Sequence, residues 1–137
     1  MVHLQGTERL FISEDLIGYA DKLTEDGVFS RRLDLLLMGF SHAVTNEIPP
    51  VDASEITRHE LTRAVSLGDH QLPVEAVAQW YARKLDREVP EDEHELLDFI
   101  CRTGIAGVRE LQEKWQGRSK SQIQWDILGD LSEKTTG

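Results

Sequence analysis

The first apolar positions of the chain form a short block, Leu10-Phe11-Ile12 after Arg9, rich in strand-forming residues. Ser13 then offers an N-cap, and Glu14-Asp15 supply the negative charge that a helix start favours. From there Leu16, Ile17, Tyr19, Ala20 and Leu23 recur at helical spacing, up to Glu25-Asp26-Gly27, where Gly27 suits a left-handed C-cap. Ser30 is the next capping residue. The helix it opens carries Leu33, Leu35, Leu36, Leu37, Met38, Phe40, Ala43 and Val44, apolar around most of its circumference. Such a helix is covered by more than one neighbour and belongs at the centre of a core or of a dimer. Asn46 to Pro50 ends it, since Pro49-Pro50 blocks continuation.

The remainder also reads as helical. A helix is predicted from Ser54 to Leu67, using Ile56, Leu61, Ala64 and Val65, with Gly68 as its stop. Pro73 opens the next, in the first turn where its missing N–H does no harm, and Val74, Val77, Ala78, Trp80, Tyr81 and Leu85 follow on one broad core-facing side. Pro90-Glu91-Asp92 starts another, carrying Leu96, Leu97, Ile100 and Cys101, which Gly104 is expected to break. Ile105, Val108, Leu111 and Trp115 mark a separate segment. The last helix uses Ile123, Ile127, Leu128 and Leu131 ahead of a polar tail, Glu133 to Gly137. The expected fold is therefore mainly α, about six helices with one short N-terminal β-strand. Residues 1–50 form a strand-helix-helix unit, and residues 51–137 a helical subdomain packed on it.

Composition adds limits to this outline. Among 137 residues, 39% are hydrophobic and 29% charged, the balance of a globular chain and not of a disordered one. The net charge of -10, from 15 basic against 25 acidic side chains, repels nucleic acid and anionic membrane at long range, so any DNA contact needs a local basic patch. No apolar run approaches the roughly 20 residues that span a bilayer, and the first residues lack a signal-peptide pattern. With one cysteine, Cys101, there is no internal disulfide to expect. The cytoplasm is the expected compartment.

The search for chemistry finds little. His3, His42, His59, His70 and His94 are scattered, with no HExxH and no cysteine pair for zinc. Asp92-Glu93-His94-Glu95 fits the acidic first turn of a helix better than a metal site. Cys101 lies on an apolar helical face, and no glycine-rich phosphate loop of either common pattern occurs. No enzyme, metal or cofactor is implied. The one local basic excess is Arg102, Arg109, Lys114, Arg118 and Lys120 around Trp115, set against Glu110 and Glu113. Trp125 stands off the Ile123–Ile127–Leu131 stripe, which makes it the candidate exposed anchor for a partner, with Arg109, Arg118 and Lys120 as charged neighbours.

The order of strand, helix, Gly27 turn and capped helix over residues 8–46 resembles a ribbon-helix-helix unit. In that family two chains pair their strands, which implies here a homodimer with Leu10 and Ile12 inward and Arg9 and Phe11 outward. The stretch Gly27-Val28-Phe29-Ser30-Arg31-Arg32-Leu33-Asp34 matches the turn whose helix start holds a DNA phosphate. The resemblance thus implies DNA contacts from Arg9, Phe11, Ser30, Arg31 and Arg32, and free amides at a helix start do favour an anion. A second likeness covers more of the chain. Leu35-Leu36-Leu37-Met38-Gly39-Phe40 with Ile48-Pro49-Pro50, then Glu95 to Phe99 leading into Gly104-Ile105-Ala106-Gly107-Val108, is similar to small proteins encoded with DNA phosphorothioation and related phage-defence systems. It implies a non-enzymatic accessory subunit that binds protein subunits of a larger complex. The alternative is a dimeric DNA-binding protein or repressor of the ribbon-helix-helix type.

Overall fold

The computed structural model describes residues 2–136, with side chains through residue 129. Strand β1 (Arg9–Ser13) leads through a 3-10 turn into α1 (Ile17–Glu25), and then comes α2 (Arg32–Thr45). After Pro49-Pro50 the chain forms strand β2 (Arg58–Arg63) and a 3-10 segment, Ala64–His70. It continues as α3 (Gln71–Lys84), α4 (Glu93–Lys114) and α5 (Lys120–Thr136). The architecture is mainly helical with a two-stranded antiparallel sheet. Among the described residues no helix is long and apolar enough to cross a membrane. One apolar cluster runs through both halves of the chain, from Leu10 and Leu16 through Leu36 and Phe40 to Leu97, Ile105 and Leu111.

The helix expected from Ser54 to Leu67 is instead β2 followed by a 3-10 segment. Apolar residues at helical spacing were a misleading guide here, because tertiary pairing outweighs local propensity. Strand β1 carries backbone donors and acceptors that need partners inside a protein. β2 provides them, with Arg9 opposite Arg63, Leu10 opposite Thr62 and Ser13 opposite Arg58. The partner strand of β1 thus lies in its own chain.

The inward placement of Leu10 and Ile12 holds, but the outward placement of Phe11 does not: its side chain is 2% exposed. A register shift between Leu10 and Phe11 breaks the simple alternation. The Phe11 ring lies under the Arg58 guanidinium, 4.2 Å from its centroid, and the Phe11 N–H donates to Cys101 Sγ at 3.4 Å. The strand is therefore covered on both faces.

Gly104 does not break a helix. α4 runs unbroken for 22 residues, so the two segments expected on either side of it are one. Its glycines serve packing. α2 and α4 cross so closely that a Cβ on Gly107 would lie 1.7 Å from the Gly39 carbonyl oxygen, and one on Gly39 would lie 2.4 Å from that of Gly104. Backbone sits on backbone at this point, which explains why α2 can be apolar on several sides at once.

The ends of α2 follow their local sequence. α1 stops at Gly27, whose φ of 78° is the left-handed conformation foreseen for it, and Val28 N–H bonds back to Leu23 O at 2.9 Å. The cap of α2 is Arg31, not Ser30: the Arg31 N–H donates to Asp34 Oδ2 at 3.0 Å, so the carboxylate three residues on closes the turn. α4 is capped by Asp92, whose Oδ1 accepts the Glu95 N–H at 2.8 Å. That bond occupies the acidic cluster as a helix start.

Candidate functional site

The five residues assigned to DNA contact end up in different settings. Phe11 is buried. Ser30 is exposed in the α1–α2 link. Arg9 Nε lies 3.6 Å from Glu60, Arg31 Nη2 2.9 Å from Asp34, and Arg32 Nε 2.6 Å from Asp21. Each arginine thus has a carboxylate beside it, and Arg31 also donates to the Ser66 carbonyl at 3.1 Å. The pairs are exposed and individually weak, but they reduce the positive field at this end of the sheet.

The basic residues of the second half do not form one face. Arg102 is held by Asp98 at 2.7 Å and by the Val51 carbonyl at 2.9 Å. Arg109 turns toward Asp15 at 3.4 Å. Lys114 and Arg118 lean on Asp126, at 3.3 and 3.8 Å, and the same carboxylate accepts the Trp115 indole N–H at 2.7 Å. Asp126 therefore fixes α5 against the end of α4. The Lys120 ammonium has no hydrogen bond or ion pair among the described residues.

Besides the isolated Val65 and Leu72, apolar side chains are left uncovered on α5 and in a groove between α2 and α3. On α5, Ile123 is buried against the core, while Trp125 is 74% exposed and Leu128, one turn on, is 54% exposed. Leu131 and the tail from Glu133 lie outside the residues whose side chains are described. The second place is an open groove of about 640 Å³ between α2 and α3, lined by Leu37, Met38, Val44, Pro73, Val74 and Val77 among others. Trp80 stands one turn beyond Val77, 50% exposed, with Lys84 Nζ 5.0 Å from its ring centroid. Trp80 had been expected in the core with Tyr81; only Tyr81 and Trp115 are buried. The signal for this groove was present in the sequence, because a helix apolar on nearly all sides leaves one side to spare.

Groups capable of chemistry are occupied or shielded. Burial pushes the Cys101 thiol up to about 12, which removes the thiolate a nucleophile needs. No group of three metal-ligating side chains occurs among the described residues. Glu75, fully buried, accepts from Leu4 N–H at 2.7 Å and Gln71 Nε2 at 2.9 Å, and its other oxygen lies 2.7 Å from His3 Nδ1. Burial alone would raise its carboxyl, but these hydrogen bonds outweigh it and hold the group below its usual range. Gln79 Nε2 donates to the Val2 carbonyl at 2.9 Å, and Gln71 Nε2 to that of Leu4 at 2.9 Å. This row on α3 clamps the start of the chain, and nothing in the spacing of the sequence pointed to it.

No family model, no curated protein and no solved structure matches the chain.

Proposed function

We propose that the protein is a non-enzymatic accessory subunit that docks onto another protein, in a DNA-modification or phage-defence complex of the kind its sequence resembles. The observation that carries this reading is Trp125, 74% exposed beside Leu128 on α5. A large aromatic in water with an aliphatic neighbour is the composition of an interface anchor, since Trp contributes heavily to binding hot spots. The α2–α3 groove with Trp80 offers a second apolar surface. The paired arginines weigh the same way, because little unopposed positive charge is left to hold a phosphate backbone.

The test is a photo-crosslinking amino acid placed at position 125 and irradiated in cells of the source organism. A discrete adduct with a subunit of a DNA-modification or restriction enzyme, lost when the partner is deleted, supports the reading. No adduct at 125, with the protein folded and expressed, refutes it. Trp125→Ala should weaken the same complex without unfolding the chain.

A second reading, a dimeric DNA-binding protein or repressor, has one observation in its favour. Arg9 stands opposite Arg63 in the ribbon, and Arg31 reaches Ser66 three residues further along. Anisotropy of labelled duplex DNA at low and near-physiological salt separates the two. Saturable binding that weakens with salt and disappears in Arg31→Glu/Arg32→Glu would favour the DNA reading.

A further inference from the structure

A cleft of about 580 Å³ opens where the α1–α2 turn meets the α4–α5 turn. Its walls differ in kind. Leu23, Val28 and Ile123 form an apolar side next to the buried Trp115, and the rim carries Lys22, Arg118 and Lys120. Asp26 and Glu113 also line it, so three cations face two carboxylates in a chain whose net charge is -10. The ammonium groups of Lys22 and Lys120 make no ion pair or hydrogen bond among the described residues, in contrast to the guanidinium groups of Arg31, Arg32, Arg102 and Arg109. Arg118 lies 3.8 Å from Asp126, beyond hydrogen-bond distance.

Tyr19 adds an independent observation. Tyr19 lines this cleft, and its hydroxyl, shielded from water, has no hydrogen-bond partner among the described residues. Buried polar groups almost always find partners, so an orphan hydroxyl marks a place where an acceptor is wanted. Burial pushes its pKa up to about 12, so the hydroxyl keeps its proton and acts as a donor. Lys120 is brought in by the fold. Its Nζ sits over the turn at Gly27, 3.2 Å from where a Cβ on that residue would be. A side chain there would push the ammonium away.

Two ammonium groups with no partner among the described residues, a guanidinium and an orphan hydroxyl donor belong to residues that line one cleft with an apolar wall. We propose that this cleft binds a small phosphorylated compound, a phosphomonoester whose oxygens accept from Lys22, Lys120 and Tyr19 while its organic part lies on Leu23, Val28 and Ile123. The volume falls in the range of small-molecule sites, roughly 300–1,000 Å³. The phosphate group is favoured over a carboxylate because three separate donor residues line the one cleft and a phosphate offers three acceptor oxygens.

The experiment is an NMR and calorimetric titration of the full chain with adenosine monophosphate, with adenosine and inorganic phosphate as comparison arms. The expected result is saturable millimolar or tighter binding of the monophosphate, competition by inorganic phosphate, no binding of adenosine, and amide shifts centred on residues 19–28 and 116–123. Lys22→Ala/Lys120→Ala should weaken binding by roughly tenfold or more. Tyr19→Phe should weaken it severalfold while leaving the urea midpoint unchanged or higher, which a merely structural hydroxyl would not do to binding. Arg32→Gln, outside the cleft, should bind as the parent does. The proposal fails if the monophosphate does not bind, if adenosine binds equally well, or if the folded double variant binds undiminished.

Discussion

Gly107→Ala is the substitution whose effect the α2–α4 crossing fixes most tightly. The added methyl would lie 1.7 Å from the Gly39 carbonyl oxygen and 2.5 Å from its carbon, where real Cβ atoms essentially never come within 3.0 Å. The obstacle is backbone, so no rotamer change relieves it, and the helices must part by more than about 1.3 Å. A gap of roughly 0.5–1 Å already forfeits a quarter to a half of a contact's dispersion energy. Leu36, Phe40, Ile105 and Val108, all buried near this crossing, would lose attraction together. Overpacking typically costs about 1–3 kcal/mol. A backbone obstacle belongs at or above the top of that range, against about 1 kcal/mol regained from the helix propensity of alanine. The net expectation is a loss of about 2–3 kcal/mol, a fall in melting temperature of roughly 10 °C for a chain of this size. Urea unfolding followed by circular dichroism measures it, with Gly18→Ala as control. Gly18 is exposed, in a helix, with nothing within 4 Å of a new Cβ, and alanine there should stabilise by about 0.5–1 kcal/mol. If Gly107→Ala proved as stable as the parent, the close crossing of α2 and α4 would be wrong.

Other expectations follow from single groups. Glu75 has a folded pKa below its unfolded value near 4.5, so its stabilisation is complete above that value and is lost as pH falls through the lowered folded one. Glu75→Gln should therefore destabilise at neutral pH and converge on the parent in acid; parallel curves across the acid range would contradict this. Cys101 should resist thiol reagents at mildly alkaline pH in the native protein and react once urea unfolds it; rapid native labelling would place it at the surface. Tyr81→Phe removes a hydroxyl that donates to the Ile48 and Ala43 carbonyls at the end of α2, and should cost about 1–2 kcal/mol in urea denaturation, with no loss counting against those bonds. Trp125→Ala should leave stability within about 0.5 kcal/mol of the parent, as befits a residue exposed to solvent.

Local chemistry made part of this fold legible. Gly27 as a left-handed stop, the double proline after α2, the acid-capped start of α4 and the strand at Leu10–Ile12 all follow from neighbours in sequence. What escaped depends on distant residues. β2 exists because β1 needs a partner, and Arg58–Arg63 has no strand signature of its own. Gly104 and Gly107 look like helix breakers unless Gly39 is known to lie opposite them. The same division applies to the surfaces. The exposure of Trp125 could be read from helical phase, whereas the salt partners of Arg31, Arg32 and Arg109 lie on other elements or across a turn. The cleft at Tyr19 needed two turns to meet in space.

The pairing of β1 also has a consequence for how the chain is made. Leu10, Phe11 and Ile12 are synthesised well before the groups that cover them: Phe11 meets Cys101 ninety positions on, and Leu4 waits for Glu75. At a translation rate of roughly 5–20 residues per second, that delay amounts to about 5–18 s. Until β2 follows, an apolar strand without its sheet partner stays on the nascent chain, and its faces wait longer still for α4. A slow ribosome would lengthen that window, so the yield of this protein should depend on the pace of translation and on chaperones that hold this strand, even though the finished molecule buries Leu10, Phe11 and Ile12.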